Sequence, residues 1–335
     1  MTRDLRALPK AHLHLHLEAG MRSSTLRALS DGYGVPVPVL ESYGDFSVFN
    51  DTYDAALDVL RSESDVRRLV HEVVEDAAAD GVVYIEPALY VPPYLSRFGT
   101  EDEIVELFLD ALADASAQSG VGAALQIAGD RTQPPAECEA QARLAARFAD
   151  RGVVSFGLSS DERGHPPEPF ADAFAVAREA GLVSAPHAGE LEGPSSIAGA
   201  LDALGASRIQ HGVRAVEAPD LVRRIAAEGI YLDVCPTSNI LLSVFPSFGE
   251  HPLPALLDGG VRCTLNADDP LLFDVGLLDE YQLCREAMGL DDRALAVIAE
   301  NSLDASTGAP SQLLDTARSS LQAWLDHDLQ TSRDG

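Results

Sequence analysis

The sequence predicts an α/β fold: a (β/α)8 TIM barrel with extra helices after the first strand and at the C-terminus. Three observations carry that prediction. Eight short apolar, strand-like runs occur along the 335 residues. Between them lie longer Ala-, Leu-, Arg- and Glu-rich stretches with helical spacing, the pattern of parallel strands joined by crossover helices. No Gly-rich phosphate loop follows the first run, which counts against a doubly wound open sheet. One barrel fits a chain of this length. Residues 1–335 therefore read as a single domain, with 330–335 as a disordered tail.

The first run, AHLHLHL (11–17), sets His12, His14 and His16 on one face and Leu13, Leu15 and Leu17 on the other, since strand residues two apart share a face. A half-buried strand ordinarily alternates apolar residues with mixed polar ones, not with one repeated ligand type. Such a strand holds either hydrogen-bonded structural histidines or a metal site. The stretch 21–61 is long for one crossover and carries Phe46, Phe49 and Tyr53 at helix-like spacing. It reads as an amphipathic helix packed on the core, with an aromatic wall or lid over the barrel mouth as the alternative. The other strands are expected at GVVYIEP (81–87), GAALQIA (122–128), GVVSFGL (152–158), LVSAPH (182–187), RIQH (208–211), IYLDVCP (230–236) and VRCTLNA (261–267). Helical patterns fill 62–80, 101–118 and 217–229, and the chain is helical again after 289.

With 24 basic against 53 acidic residues the net charge is −29, which speaks against nucleic acid and anionic membranes as partners. Cys138, Cys235, Cys263 and Cys284 form no C-x-x-C pair and read as buried thiols of a reducing compartment. The N-terminus MTRDLRALPK has no apolar signal-peptide core, and no apolar run is long enough to span a bilayer. A cytoplasmic location is expected.

In a barrel of this kind the chemistry collects at the C-terminal ends of the strands. Strand one ends in His14, His16 and Glu18; strand four in Ser159, Ser160, Asp161 and Glu162; strand five in His187 and Glu190. Strand six ends in His211, strand seven in Ser238 and Asn239, and strand eight in Asp268 and Asp269. Each alone is weak, but recurrence at one end of successive strands points to a site. Nitrogen and carboxylate donors together fit zinc, and three His and one Asp can be drawn from strands one, five and eight. His12 lies a full pleat deeper and reads as a histidine supporting the ligands from behind or packed in the core, whereas His71, His165, His251 and His327 read as surface or capping residues. Lys10, the only lysine, precedes strand one. A carboxylated lysine bridging two metals on a strand therefore cannot form, which favours one metal. The H-x-E with P-C-x-x-C signature of one known class of zinc enzymes is absent.

The motifs PKAHLHLHLEAG, PHAGE, RIQHGVRAVE, VCPTSN and LNADDP, in this order and at these separations, resemble the adenosine deaminase family of metal-dependent hydrolases. The resemblance covers nearly the whole chain. It implies one catalytic zinc per chain and hydrolysis of the 6-amino group of a small-molecule purine. By this resemblance His14, His16, His187 and Asp268 match the metal ligands. Glu190 matches the acid facing purine N1, and His211 the histidine beside the attacking water. Asp269 matches the carboxylate at N7, Ser160 the residue whose N–H approaches N3, and His16, Glu18 and Gly189 complete the substrate-binding positions. Glu18 and Ser160 stand where adenosine-specific members usually have Asp and Gly, and look closer to the adenine deaminase branch. HAGELEGPSSI and HGVRAVE look closer to the adenosine branch. On that balance the expected reaction is deamination of adenosine or 2′-deoxyadenosine. Adenine, or another N9-substituted adenine such as an aminofutalosine-type nucleoside, is the alternative.

Overall fold

The structure, a computed structural model, describes residues 2–331 except 39, 41, 42, 44 and 45, with side chains as far as residue 326. All eight predicted runs contain strands. The first, Lys10–His12, continues as isolated pairs at Leu15 and His16. The second comprises Val82–Ile85 and Ala88–Leu89, the third Gly122–Ala123 and Leu125–Asp130, the fourth Val153–Ser159, and the fifth Val183–Ser184 and His187–Ala188. Arg208–His211, Tyr231–Val234 and Arg262–Leu265 are the sixth, seventh and eighth. The breaks in the second and fifth fall at Pro87 and Pro186, which have no N–H to give a ladder.

Every pairing is parallel, and each strand pairs with its neighbours in sequence. The first half of strand five pairs with strand four and its second half with strand six. The ring closes between strands eight and one. There Leu15 pairs with Asp268, the His16 N–H donates to the Asp268 carbonyl at 3.0 Å, and the Asp268 N–H donates to the His14 carbonyl at 3.2 Å. Asp268 is thus built into the seam beside the two histidines it was predicted to join.

The helices around the ring bury one stripe each. Glu63–Ala79 turns Val66, Leu69, Val70, Val73, Val74 and Ala77 inward, the i, i+3, i+4 rhythm of an amphipathic helix. It opens on a capping box in which Ser62 and Asp65 satisfy each other's backbone N–H. Glu101–Ser119 opens the same way with Thr100 and Glu103. The long segment after strand one forms Ser23–Tyr33 and Phe46–Leu57. The C-terminal helices are Leu277–Ala287, Asp292–Ala305 and Ser311–Thr331. Of the predicted tail, 330 and 331 continue the last helix, while 332–335 and the His327 side chain lie outside the described residues. No described helix is long and apolar enough to cross a membrane.

The barrel interior carries charge beneath the mouth. Arg208, buried, places Nε 2.7 Å from Asp233 Oδ2 and Nη2 2.5 Å from Glu86 Oε1. Ser155 and Thr264 hydroxyls donate to the same two carboxylates at 2.6 and 2.8 Å. Paired and hydrogen-bonded this way, buried ions are tolerable, and removing any one would strand the others. The four cysteines are free and buried, as predicted. Lys10 is also buried, its Nζ donating to the carbonyls of Leu5 and Leu8.

Candidate active site

The strand ends bring His14, His16, His187, His211 and Asp268 into one cluster at the mouth. His14 Nε2 lies 3.1 Å from His187 Nε2 and 3.0 Å from Asp268 Oδ1; His16 Nε2 lies 3.3 and 3.4 Å from the same two atoms. A tetrahedral ion with bonds of about 2.0–2.1 Å needs ligand atoms about 3.3 Å apart, so these four spacings match the edges of a zinc site. Asp268 Oδ1 is buried with no hydrogen-bond donor. Behind the site, His14 Nδ1 donates to the Asp233 carbonyl at 3.2 Å and His187 Nδ1 to the Leu158 carbonyl at 3.1 Å. Each then presents an Nε2 lone pair to the centre, as a metal ligand must. Burial lowers the pKa of His187 far below its ordinary value and that of His16 to about 4. Burial acts the same way on His14, but Asp268 and Asp233 together outweigh it and raise its pKa. Imidazole nitrogens converging on a buried carboxylate are a donor set suited to a cation. These four residues could hold zinc.

His211 is the fifth member. Its ring nitrogen could also join a ligand set with His14, His187 and Asp268. However, its Nε2 lies 3.6 Å from Asp268 Oδ2, not from the shared Oδ1, and 3.5 Å from Glu190 Oε2. It therefore faces the gap between acid and metal position. His12, as expected, is a core residue: its Nε2 accepts from the Ala267 N–H at 3.0 Å.

Two carboxyls stand free for chemistry. Glu190 is buried with Oε1 unpartnered, and Asp269 is buried with Oδ1 unpartnered. Burial first, then the charge of Asp268, pushes both well above the usual carboxyl range. The shift favours the protonated form of both, the form that can donate a proton. Among the described residues, Ser160 (φ 74°), His211 (φ 64°) and Asp268 (φ 60°) are three of five non-glycine residues in the left-handed region. Such strain, gathered at one cleft, is what a site built for geometry rather than stability shows.

Glu190 is held by a residue that sequence reasoning noted only as a strand end. The Glu162 carboxylate, almost wholly buried, accepts four successive backbone N–H groups: Gly189 at 2.6 Å, Glu190 at 3.0 Å, Leu191 at 2.8 Å and Glu192 at 2.9 Å. The buried Arg131 guanidinium bonds the His187 carbonyl and reaches the His165 carbonyl at 3.4 Å. Gly189, expected at the substrate, does not line the pocket: its N–H serves Glu162, and at φ 73° a Cβ would run into Ile197. Its place is in the turn. Glu162→Gln keeps the size but turns an NH2 toward donors. It should lower unfolding stability by about 1–3 kcal/mol and depress kcat with metal retained. Denaturant melts and metal analysis check this; an unchanged kcat would mean the turn holds Glu190 without it.

The pocket is walled by the helix Phe46–Leu57. Phe49 is buried, stacked 5.6 Å from Phe273, so the expected core packing holds for it. Phe46 and Tyr53 also line the pocket, so the helix forms the aromatic wall as well. Tyr53 donates to Glu18 Oε2 at 2.7 Å, and Tyr94, from the segment after strand two, donates to Glu18 Oε1 at 2.5 Å. Glu18, Ser160 and Asp269 all line the pocket with His16. The helical spacing had marked Tyr53 as part of an aromatic wall, but nothing in the sequence pattern announced Tyr94 or the contact of either tyrosine with Glu18.

A family model described as adenosine deaminase matches residues 9–313. A Streptomyces virginiae protein provisionally named adenosine/adenine deaminase is 44% identical over 336 residues, covering 97% of this chain and 98% of that protein. The crystal structure of an adenine deaminase from Arthrobacter aurescens superposes with a TM-score of 0.88 at 31% identity, over 95% of this chain and 99% of that one. An amidohydrolase from Burkholderia ambifaria, solved with bound zinc, superposes with a TM-score of 0.85 at 27% identity, over 99% and 94% of the two chains.

Proposed function

The chain belongs to the adenosine deaminase family, and from that footing we propose that it hydrolyses free adenine to hypoxanthine and ammonia, with one zinc held by His14, His16, His187 and Asp268. The observation that carries the adenine reading is the clamp on Glu18. Both its oxygens are engaged by tyrosine hydroxyls, one from the helix Phe46–Leu57 and one from the segment after strand two. A carboxyl fixed from two sides is a wall, not a free arm waiting for a ribose hydroxyl. It stands two residues beyond His16 in the lining of the same pocket, a place we assign to the N9 side of the purine. The adenine deaminase from Arthrobacter aurescens supports the same choice, and the name of the Streptomyces virginiae protein leaves room for it. The nucleoside favoured from the sequence thus gives way to the alternative.

Zinc, when bound, supplies a water acidic enough to act as a nucleophile near neutral pH. The chain's own residues do the rest. Purine C6 is a poor electrophile until N1 takes a proton, and Glu190 holds one to give. Asp269, also protonated, can donate to N7 and fix the ring. His211 faces the space where the attacking oxygen stands and stabilises the charge that grows on it. Water adds to C6, returning one proton to Glu190. The second proton passes to the departing nitrogen, the C6–N bond breaks, and ammonia leaves the 6-oxopurine with N1 protonated.

The wall is tested by 9-methyladenine, which adds one methyl group at N9. Its kcat/KM should fall about 10–200-fold below that of adenine, the range for one misplaced methylene in a tight pocket. Glu18→Ala should narrow that gap. Equal turnover of the two by the wild type would remove the wall.

A further inference from the structure

We infer that His251 and Asn239 are positioning residues that fix which nitrogen of His211 carries its proton; the inference rests on the deaminase reading of the site. The chain of hydrogen bonds starts at a peptide group. The Leu253 N–H can only donate, and it donates to His251 Nδ1 at 3.2 Å. His251 is 4% exposed, and burial lowers its pKa to about 4, so the ring is neutral with a single proton. With Nδ1 accepting, that proton sits on Nε2. His251 Nε2 lies 3.1 Å from the side-chain oxygen of Asn239, which accepts it. The Asn239 amide is thereby turned with its NH2 toward His211 Nδ1, 3.2 Å away. An NH2 group can only donate. His211 Nδ1 therefore accepts, and its proton sits on Nε2, facing Glu190 and Asp268.

No flip of the amide is compatible with both ends. Turning Asn239 over would set its NH2 against the His251 N–H, donor against donor. The Phe245 ring, edge-on at 5.6 Å, packs against His251. The expectation of a surface or capping role for His251 is half right: it caps the start of the helix Leu253–Asp258, but from inside.

The consequence is a division of labour among like residues. His14 and His187 keep their protons on Nδ1, tied to carbonyls, and show lone pairs to the metal position. His211, crowded into the same cluster, shows an N–H instead. It acts as a hydrogen-bond donor to the attacking oxygen and takes no place among the metal ligands, although its ring is close enough to do so.

The test reads the tautomer directly. In zinc-loaded wild-type protein labelled with 15N-histidine, His211 is assigned by the resonance lost in His211→Asn. Its nitrogen shifts should report the proton on Nε2. His251→Leu should lower kcat about 10–100-fold, the scale of a compromised transition-state donor, with KM and zinc content unchanged and Nδ1-protonated His211 appearing. His251→Gln, whose amide can still donate to Asn239, should recover most of the loss. Asn239→Asp, which accepts where the amide donated, should reverse the tautomer outright. A proton on Nδ1 of His211 in the wild type would overturn the inference without any variant. So would His251→Gln being as impaired as His251→Leu. Should the deaminase reading itself be wrong, no 6-aminopurine would be turned over while the tautomer result stood.

Discussion

Glu190→Gln should abolish nearly all turnover while leaving the metal in place. The glutamine matches the size and can still hydrogen-bond, but it has no proton to deliver to N1. General acid–base groups contribute about 10²–10⁴ in rate, and a loss at or above that range is expected in kcat. Because Glu190 is not one of the four proposed ligands, zinc content should stay near the wild-type value. The pH dependence follows from the sign of its shift. Burial and the neighbouring Asp268 raise its pKa. The protonated form is the active one, so kcat holds through the range where an ordinary carboxyl would already be ionised. It then falls as pH rises through the elevated pKa. That alkaline limb should vanish from the residual activity of Glu190→Gln. A few-fold change in kcat would mean that another group protonates N1.

His187→Ala should remove both the metal and the activity. His187 Nε2 lies within 3.1 and 3.3 Å of two further proposed ligands, so its loss opens one corner of the tetrahedron. Metal analysis should fall from about one zinc per chain to well below that. Several kcal/mol of transition-state stabilisation go with it, an activity loss of about 10³-fold or more. Chelation of the wild type should reproduce the defect, and added zinc should reverse it only in the wild type. Full activity in a metal-stripped sample would contradict the metal site altogether.

The strands and the residues that cluster at the mouth were legible because both follow local rules. Alternation of His and Leu in 11–17 assigned a face, and the strand-end rule assigned an end. Asp268 needed only to be the first acid after the eighth strand. Partners from distant elements were not legible. Tyr94 reaches Glu18 across 76 positions, and Asn239 reaches His211 across 28. Hydropathy periods report which face is buried, not what stands behind it. His251 shows the limit most clearly. On a loop after a short helix, it carries no periodic signal, and only the fold reveals that it is buried at 4% exposure and linked through Asn239 to His211. Glu162 was in view as a strand-end acid, but four N–H groups converging on one carboxylate depend on the path of the turn 189–192, which no residue pattern encodes. The nucleoside preference rested on the length and wording of two loops, whereas the clamp on Glu18 belongs to side chains contributed from elsewhere.

The most direct measurement is a steady-state comparison of adenine, adenosine and 2′-deoxyadenosine on one zinc-loaded preparation, followed by ammonia release. Adenine should give the highest kcat/KM, by about tenfold or more over either nucleoside, with hypoxanthine as its product. A nucleoside turned over as well as adenine, or better, would contradict the account.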